Sequence, residues 1–228
     1  MSTILHIETS TTVCSVAIAT NGKVLAAKEI NDGYSHAENL SIFIENCLTE
    51  SNLTYKDLEA VAISKGPGSY TGLRIGVATA KGLCYALDIP LIAINTLEGM
   101  AFEMIRKNQQ KKGLYCAMID ARRMEVYCTI VDNNKNIVKP TSAIIINNDS
   151  FLPELEKHNV YFFGNGSEKC INDITHKNAQ FIKEINPSAE SLVSIALDSY
   201  KRKTFENLAY FEPYYLKDFI ATTPKKLI

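Results

Sequence analysis

The feature that most constrains this 228-residue chain is an internal repeat. Displaced by 112 residues, ILHIETSTTVCSVAIATNGK falls on CAMIDARRMEVYCTIVDNNK. The aligned pairs are Glu8 and Asp120, Ile18 and Ile130, Asn21 and Asn133, and Lys23 and Lys135. A strand, an acidic end, a short loop, a second strand and a polar turn recur in one order. A repeat of about half the chain length predicts two related halves.

The first half opens with three strand-like runs, ILHIETS, VCSVAIAT and KVLAAKEI. Asn21-Gly22 joins the last two and is a strong signal for a two-residue hairpin. Helix and strand patterns then alternate, which favours an α/β fold with mixed sheets and flanking helices. The duplicated actin-like, ribonuclease-H-like (ASKHA) architecture has this form. The polar break KNQQKKG divides a predicted first lobe, residues 1–108, from a smaller second lobe, residues 109–228.

The other elements are predicted from apolar periodicity and turn residues. In the first half we predict a helix over 35–50 that begins at a Ser35–Glu38 capping box, a turn of helix at 54–57, a buried strand LEAVAISKG, a helix from the glycine-rich loop to Leu87, a strand IPLIAINT and a helix over 97–107. In the second half we predict a helix over 149–158, a strand VYFFG, a short helix over 167–173, a helix over 188–202 and an irregular tail ENLAYFEPYYLKD.

The glycine-rich stretch KGPGSYTGLRIGVATAKGL, residues 65–83, has the composition of a phosphate-binding loop. It lacks the spacing and the Lys-Ser/Thr of a P-loop, and it does not fit the dinucleotide-binding G-x-G-x-x-G pattern. Pro67 also removes one backbone N–H from any anion nest. Two interpretations stay open: an anion held at the start of the following helix, or a tight turn with Ser69 or Thr71 as the capping hydroxyl.

Two helices carry more apolar or small-residue surface than a single core explains. In the helix after the loop, one nearly flat side consists of Gly72, Gly76, Thr79, Ala80, Leu83 and Ala86. This side packs either on a partner or on the chain's own sheet. In helix 35–50 the predicted core stripe is Ala37, Leu40, Ile44, Cys47 and Leu48. Phe43 flanks that stripe and Ile42 lies outside it, which indicates either a protein interface or ordinary scattered exposure.

The strand ends offer few groups for catalysis. Glu8, Thr9 and Ser10 in one half and Asp120 in the other are a possible vestigial nucleotide cleft, where the two carboxylates hold magnesium or merely stabilise turns. His36 has Leu40 four residues on, where a second histidine would complete a metal pair, so a packing role competes with a metal role. The sequence contains no G-x-S-x-G nucleophile elbow.

Composition excludes several classes of protein. The six cysteines form no C-x-x-C pair, so we expect buried, reduced thiols rather than disulfides or a metal site. The net charge of −1 argues against a protein that wraps nucleic acid by charge alone. Arg122, Arg123 and the basic run 106–112 are either RNA contacts or solvated faces. No apolar run spans a membrane and no export signal is visible, so we expect a cytoplasmic protein.

Five blocks of the chain resemble the TsaB (YeaZ) family of bacterial accessory proteins for tRNA threonylcarbamoyladenosine biosynthesis. The blocks are ILHIETSTTVCSVAI, SHAENL, KGPGSYTGLRIGVATAKGL, IDARRMEVY and EPYYLK. Glu8 stands where the family usually has Asp, and Lys217 stands where Arg is commoner. The resemblance implies a non-catalytic, cofactor-free subunit that pairs with and activates the catalytic paralogue TsaD, and that forms a homodimer when alone.

The resemblance also implies that the pair helps recruit the ATPase TsaE and acts on tRNAs reading ANN codons, so that this chain meets tRNA only through the complex. It places the pairing surface on helices 35–50 and 71–87. The residues implied are His36, Asn39, Leu40, Ile42, Phe43, Cys47, Gly72, Arg74, Gly76, Thr79, Ala80 and Leu83. The alternatives are an actin-like ATPase or kinase that uses Glu8 and Asp120, and a peptidase, which the missing histidine pair disfavours.

Overall fold

Two five-stranded sheets, one from each half of the chain, carry the fold. The computed structural model describes residues 2–33, 35–108 and 110–217. Gln109 in the predicted break, Asp218 at the end of the predicted tail and the remainder of the predicted second lobe lie outside these residues. The predicted two-lobed, actin-like α/β fold is confirmed.

The first sheet has the strand order β3-β2-β1-β4-β5. Its strands are β1 Thr3–Glu8, β2 Val13–Thr20, β3 Lys23–Asn31, β4 Ala60–Gly66 and β5 Leu91–Asn95. The first three form the predicted antiparallel meander, and β4 and β5 run parallel to β1. Asn21 and Gly22 both have positive φ, 50° and 80°, as a type I′ hairpin requires.

The second sheet repeats this arrangement in the order β10-β9-β6-β7-β8. Its strands are β6 Leu114–Asp120, β7 Glu125–Asp132, β8 Ile137–Ile145, β9 Val160–Phe163 and β10 Ala179–Ile182. Strands β6 to β8 form a second antiparallel meander, and β9 and β10 run parallel to β6. Strands β2 and β7 lie 112 residues apart at both ends, so the predicted repeat is confirmed. The short strand β10 was not predicted.

The helices agree with the sequence better in the first half than in the second. They are α1 His36–Glu50, α2 Tyr70–Leu87, α3 Thr96–Lys107, α4 Leu152–Leu155 and α5 Val193–Lys201, with 3₁₀ turns at Tyr55–Asp57, Glu168–Cys170 and Ala189–Leu192. The helix predicted over 149–158 is only a single turn. The Ser35–Glu38 capping box is also wrong, because the Ser35 hydroxyl hydrogen-bonds Asp32 instead of the helix backbone.

Each sheet is covered by helices on both faces, and two helices cover the sheet of the other half. Helices α1 and α2 pack on one face of the first sheet, and α5 packs on the opposite face. Helix α3 comes from the first half but packs on the second sheet. The remaining face of the second sheet is covered by α4 and neighbouring loops. The two halves therefore exchange helices.

The C-terminal tail also returns to the first sheet. The Tyr214 amide donates to the Lys65 carbonyl at 2.7 Å, and Phe211 is buried in the core beneath α1 and α2. The domain division 1–108 and 109–228 stays a prediction, since α5 and this tail pack on the first lobe. All six cysteines are free and buried, as expected. Among the described helices, none has both the length and the apolar character needed to cross a membrane.

Candidate functional site

The glycine-rich loop at residues 66–69 packs directly on the turn at residues 8–12 between β1 and β2, which we call the first hairpin. Gly66 has a φ of +110°, and the Ser69 amide donates to the Ser10 carbonyl at 2.6 Å. A Cβ on Gly68 would lie 2.1 Å from that same carbonyl oxygen, so only glycine permits this approach. The Ser69 hydroxyl accepts from the Gly72 amide at the start of α2, so the predicted Ser69 cap is confirmed. The loop is a tight turn that closes over the hairpin.

This closure buries the predicted nucleotide-binding residues of the first half. Glu8, Thr9 and Ser10 are completely buried, and the Glu8 carboxylate accepts from the Ser10 amide at 2.6 Å. Burial raises the pKa of Glu8, and the hydrogen bond from the Ser10 amide opposes the shift in part. Among the described residues, Glu8 Oε2 and the hydroxyls of Thr9, Ser10 and Ser64 have no hydrogen-bond partner.

The second carboxylate of the predicted cleft lies in a different environment. The side chain of Asp120 is 46% exposed and forms an ion pair with Lys169 on the second sheet. Cavities of about 410 and 330 Å³ lie between the halves, and neither is lined by Glu8 or Asp120. The expectation that both carboxylates face one cleft is wrong, because Glu8 is completely buried whereas Asp120 is half exposed at the surface. The oxygens around Glu8 and Asp120 therefore do not fit a shared magnesium ion.

His36 is a core residue and not an exposed ligand. Its side chain is 1% exposed, and Nε2 lies 2.8 Å from the Thr11 carbonyl oxygen in the first hairpin. The ring also fills the space beside Gly72, where a Cβ would lie 3.2 Å from it. His36 thus fixes the hairpin against the starts of both α1 and α2, and the competing packing interpretation holds.

Half of the predicted interface residues lie inside the chain's own core. The six buried residues are His36, Leu40, Cys47, Gly72, Gly76 and Ala80. A Cβ on Gly72 would lie 2.1 Å from the Thr9 carbonyl oxygen, and one on Gly76 would lie 2.2 Å from the Thr9 hydroxyl. These glycines let α2 approach the hairpin, so their predicted direct contact with a partner is wrong. Ala37 is exposed, so its predicted place in the core stripe is also wrong.

The other predicted residues do reach the surface of α1 and α2. Ile42 is 52% exposed, while Asn39, Phe43, Thr79 and Leu83 are half-buried. Sequence reasoning missed Gly82, which is exposed and would have nothing within 4 Å of an added Cβ. The sequence contained a signal for Gly82, because a glycine inside a helix destabilises it by about 1 kcal/mol relative to alanine, and this loss indicates that a side chain is excluded there. We call Asn39, Ile42, Phe43, Thr79, Gly82 and Leu83 the α1–α2 surface.

Arg74, the remaining predicted interface residue, is exposed but faces the C-terminal tail. Its Nε donates to the Tyr215 hydroxyl at 3.2 Å, and its guanidinium lies 4.1 Å from the centre of the Tyr70 ring. The Tyr70 and Tyr215 rings are 4.9 Å apart. Arg74 therefore belongs to a different side of α2 from Gly82.

Comparisons with known proteins agree with this architecture. A family model described as "TsaD: tRNA N6-adenosine threonylcarbamoyltransferase" matches residues 31–225. The tRNA threonylcarbamoyladenosine biosynthesis protein TsaB of Escherichia coli (strain K12) is 29% identical over 96% of each chain. The TsaB protein of Buchnera aphidicola subsp. Baizongia pistaciae is 30% identical over 96% of this chain and 99% of that protein. This chain belongs to the TsaB (YeaZ) family.

A solved structure of a TsaB-family member is similar over the whole fold. YeaZ from Pseudomonas aeruginosa is 25% identical to this chain and superposes with a TM-score of 0.82. The similarity covers 95% of this chain and 100% of the other. In this TsaB-family chain, Glu8 is completely buried and its carboxylate is bound by the Ser10 amide.

Proposed function

We propose that this chain is a non-catalytic subunit in the biosynthesis of threonylcarbamoyladenosine in tRNA. It binds a TsaD-type catalytic paralogue through the α1–α2 surface and holds that paralogue in its active form. The pair recruits a TsaE-type ATPase and transfers threonylcarbamoyl to adenosine in tRNAs that read ANN codons in the cytoplasm. Without the paralogue, the same surface joins two copies of this chain.

The observation that carries the proposal is the exposed Gly82 on α2 together with the exposed Ile42 on α1. A glycine at position 82 lowers the stability of α2. Among the described residues, no neighbouring atom requires a glycine there, because nothing lies within 4 Å of an added Cβ. A glycine on an exposed helix face allows the backbone of another helix to approach closely. Ile42 on the neighbouring helix supplies an exposed apolar side chain for the same contact.

The closed first hairpin supports the non-catalytic role. Glu8, Thr9 and Ser10 are completely buried. Ser10 contacts the chain's own loop at residues 66–69, and Thr9 contacts Gly72 and Gly76 of α2. His36 is likewise engaged with the Thr11 carbonyl and faces inward. The residues of this half that the sequence offers for nucleotide or metal binding instead hold the hairpin against α1 and α2.

The test is size exclusion with light scattering on a mixture of this chain and a TsaD-type protein from the same organism. We expect a one-to-one heterodimer that replaces any homodimer. The variant Ile42→Glu places a charge in the proposed contact and should weaken pairing at least tenfold, because an unpaired charge would be buried there. Ile145→Glu is the matched control, since Ile145 is 72% exposed on β8 and lies on the second sheet.

Both variants should unfold at the same temperature as the wild type, because both side chains are exposed. An Ile42→Glu variant that pairs as tightly as Ile145→Glu would contradict the proposed surface. Gly82→Leu gives a second test, since it should weaken pairing while leaving the monomer folded. Gly76→Leu is unsuitable for this purpose, because it would clash with Thr9 inside the monomer.

A further inference from the structure

A second surface, rich in cations and tyrosines, crosses from the second half of the chain to α2. We call it the basic–aromatic strip. Its members are Arg74, Lys81, Tyr85, Arg122, Arg123, Tyr210, Tyr215 and Lys217. They come from α2, from the hairpin between β6 and β7, and from the C-terminal tail. The tail connects the other two parts.

The contacts along the tail show that the strip is continuous. Lys217 forms an ion pair with Glu125 at the start of β7, two residues from Arg123. Tyr215, two residues before Lys217, accepts a hydrogen bond from Arg74 on α2.

Further back along the tail, Lys81 connects α2 to the segment around Tyr210. The Lys81 ammonium donates to the carbonyls of Ala209 and Phe211, on either side of Tyr210. Tyr85 lies one helical turn beyond Lys81 on α2. The strip therefore extends from the second-half hairpin to the far part of α2.

Positive charge is in excess along the strip, although the chain as a whole carries −1. Lys217 is paired with Glu125, and Glu212 lies near enough to Arg74 to interact with it. Among the described residues, no carboxylate forms an ion pair with Arg122 or Arg123. The two guanidinium groups at the hairpin are thus available to an anionic partner.

The backbone of that hairpin is unusual for arginine. Arg122 and Arg123 have φ values of 67° and 49°, in the left-handed region that glycine and asparagine adopt more easily. Two consecutive arginines in this conformation are unfavourable for folding. Such strain at an exposed, charged turn points to a functional use of the two side chains.

The strip also exposes aromatic rings. Tyr85 is 84% exposed and Tyr210 is 85% exposed, so both rings have nearly their full faces in solvent. Exposed aromatic rings beside cations are the combination that binds single-stranded and looped RNA, because bases stack on the rings while phosphates meet the cations. An acidic protein surface would use the cations but leave the rings unexplained.

We propose that the basic–aromatic strip binds RNA directly, with Arg122 and Arg123 on phosphates and Tyr85 and Tyr210 under bases. This inference rests on the proposed function, in which the RNA is a tRNA. It changes one expectation from the sequence, since this chain then contacts tRNA itself and not only through its partner. On α2, Arg74 and Lys81 of the strip contact the tail, whereas Tyr85 lies three residues from Gly82, where the strip borders the α1–α2 surface.

The test measures binding of an unmodified transcript of a tRNA that reads ANN codons to the heterodimer with the TsaD-type paralogue. We expect the double variant Arg122→Asn/Arg123→Asn to lower affinity about tenfold at 0.1 M salt and to reduce the salt-dependence slope by about 1 to 2. Asparagine tolerates the left-handed backbone, so the variant stays folded. Tyr85→Ser/Tyr210→Ser should lower affinity about tenfold without changing that slope.

The matched control is Lys157→Asn/Lys177→Asn, which removes two exposed cations at the opposite end of the second sheet. It should bind the transcript as the wild type does. Pairing with the paralogue, monitored by size exclusion, should be the same as wild type for the arginine and lysine variants, and RNA affinity is measured on the paired form of every variant. If wild-type pairing fails, the proposed function fails, whatever the strip does.

Three outcomes would overturn the inference while the proposed function stands. In the first, the wild-type heterodimer does not bind the transcript. In the second, the arginine variant pairs normally and binds the transcript as tightly as the lysine control. In the third, the arginine variant no longer binds the TsaE-type ATPase but still binds the transcript, which would show that the strip binds an acidic protein surface instead of RNA.

Discussion

The two halves of the chain build the same unit of hairpin and loop and use it differently. The first unit joins the hairpin at residues 8–12 to the loop Gly66-Pro67-Gly68-Ser69. The second joins the hairpin at residues 120–125 to the loop Gly164-Asn165-Gly166-Ser167. The leading glycines have φ values of +110° and +99°. In each unit the loop hydrogen-bonds the strand or hairpin beside it, through the Ser69 amide in the first and the Gly166 amide in the second.

The units differ in the element that comes after the loop. The first loop leads into the 18-residue helix α2, which covers the hairpin through Gly72 and Gly76. The second leads into a 3₁₀ turn of three residues, which leaves Arg122 and Arg123 exposed. The same local motif therefore gives a closed, structural hairpin in one half and an open, charged one in the other. The surrounding packing, and not the loop itself, decides the role.

The largest effect should come from the middle glycines of the two loops. A Cβ on Gly68 would lie 2.1 Å from the Ser10 carbonyl oxygen, and one on Gly166 would lie 2.7 Å from the Ile119 carbonyl carbon. We expect Gly68→Ala to lower the free energy of unfolding by more than about 3 kcal/mol and Gly166→Ala by about 2 kcal/mol. Urea denaturation measures both. Equal losses would show that the two loops are packed equally tightly.

An effect of intermediate size should distinguish the carboxylates of Glu8 and Asp120, through the pH dependence of stability. Burial raises the pKa of Glu8 in the folded state above its ordinary value of 4.5. The folded protein therefore holds this proton more tightly than the unfolded chain, and stability falls as the pH rises above about 4.5. Glu8→Gln removes the ionisable group and with it this loss of stability at high pH. The glutamine amide can also donate a hydrogen bond to the unpaired Ser64 hydroxyl, so we expect the free energy of unfolding at pH 8 to rise by about 1 to 3 kcal/mol.

Asp120→Asn is the control for that measurement. Asp120 is half exposed and its ion pair with Lys169 is at the surface, so we expect a change within about 0.5 kcal/mol at pH 5 and at pH 8. Denaturation curves at the two pH values compare the variants directly. A Glu8→Gln variant with the pH dependence of the wild type would show that the first hairpin is open to solvent.

The smallest effect should be a gain in stability from the open hairpin. Arg122→Asn/Arg123→Asn relieves the left-handed strain, so we expect the free energy of unfolding to rise by about 1 kcal/mol. Thermal unfolding of the same protein used for RNA binding gives this value. A loss of stability would mean that the arginine side chains support the fold, and the contrast between the two hairpins would then be weaker.

Much of the fold was predictable because it depends on local signals. Asn21-Gly22 predicted the turn between β2 and β3, and the displacement of 112 residues located the second meander. The orientation of α2 was not predictable, because periodicity shows which residues share a side but not which neighbour that side meets. Gly72 and Gly76 were therefore predicted to contact a partner, although Thr9 of the same chain lies against both. The neighbourhood of Arg122 and Arg123 was not predictable either, because Lys217, more than 90 residues away in sequence, pairs with Glu125 beside them.

The exchange of helices between the halves has a consequence for how the chain folds. Helix α3 completes the core of the second sheet, and α5 completes one face of the first. Neither half carries everything needed to bury its own apolar surface. Folding should therefore be a single cooperative event, and a fragment ending near residue 108 would expose one whole face of its sheet. We therefore expect that neither of the two related halves folds without the other.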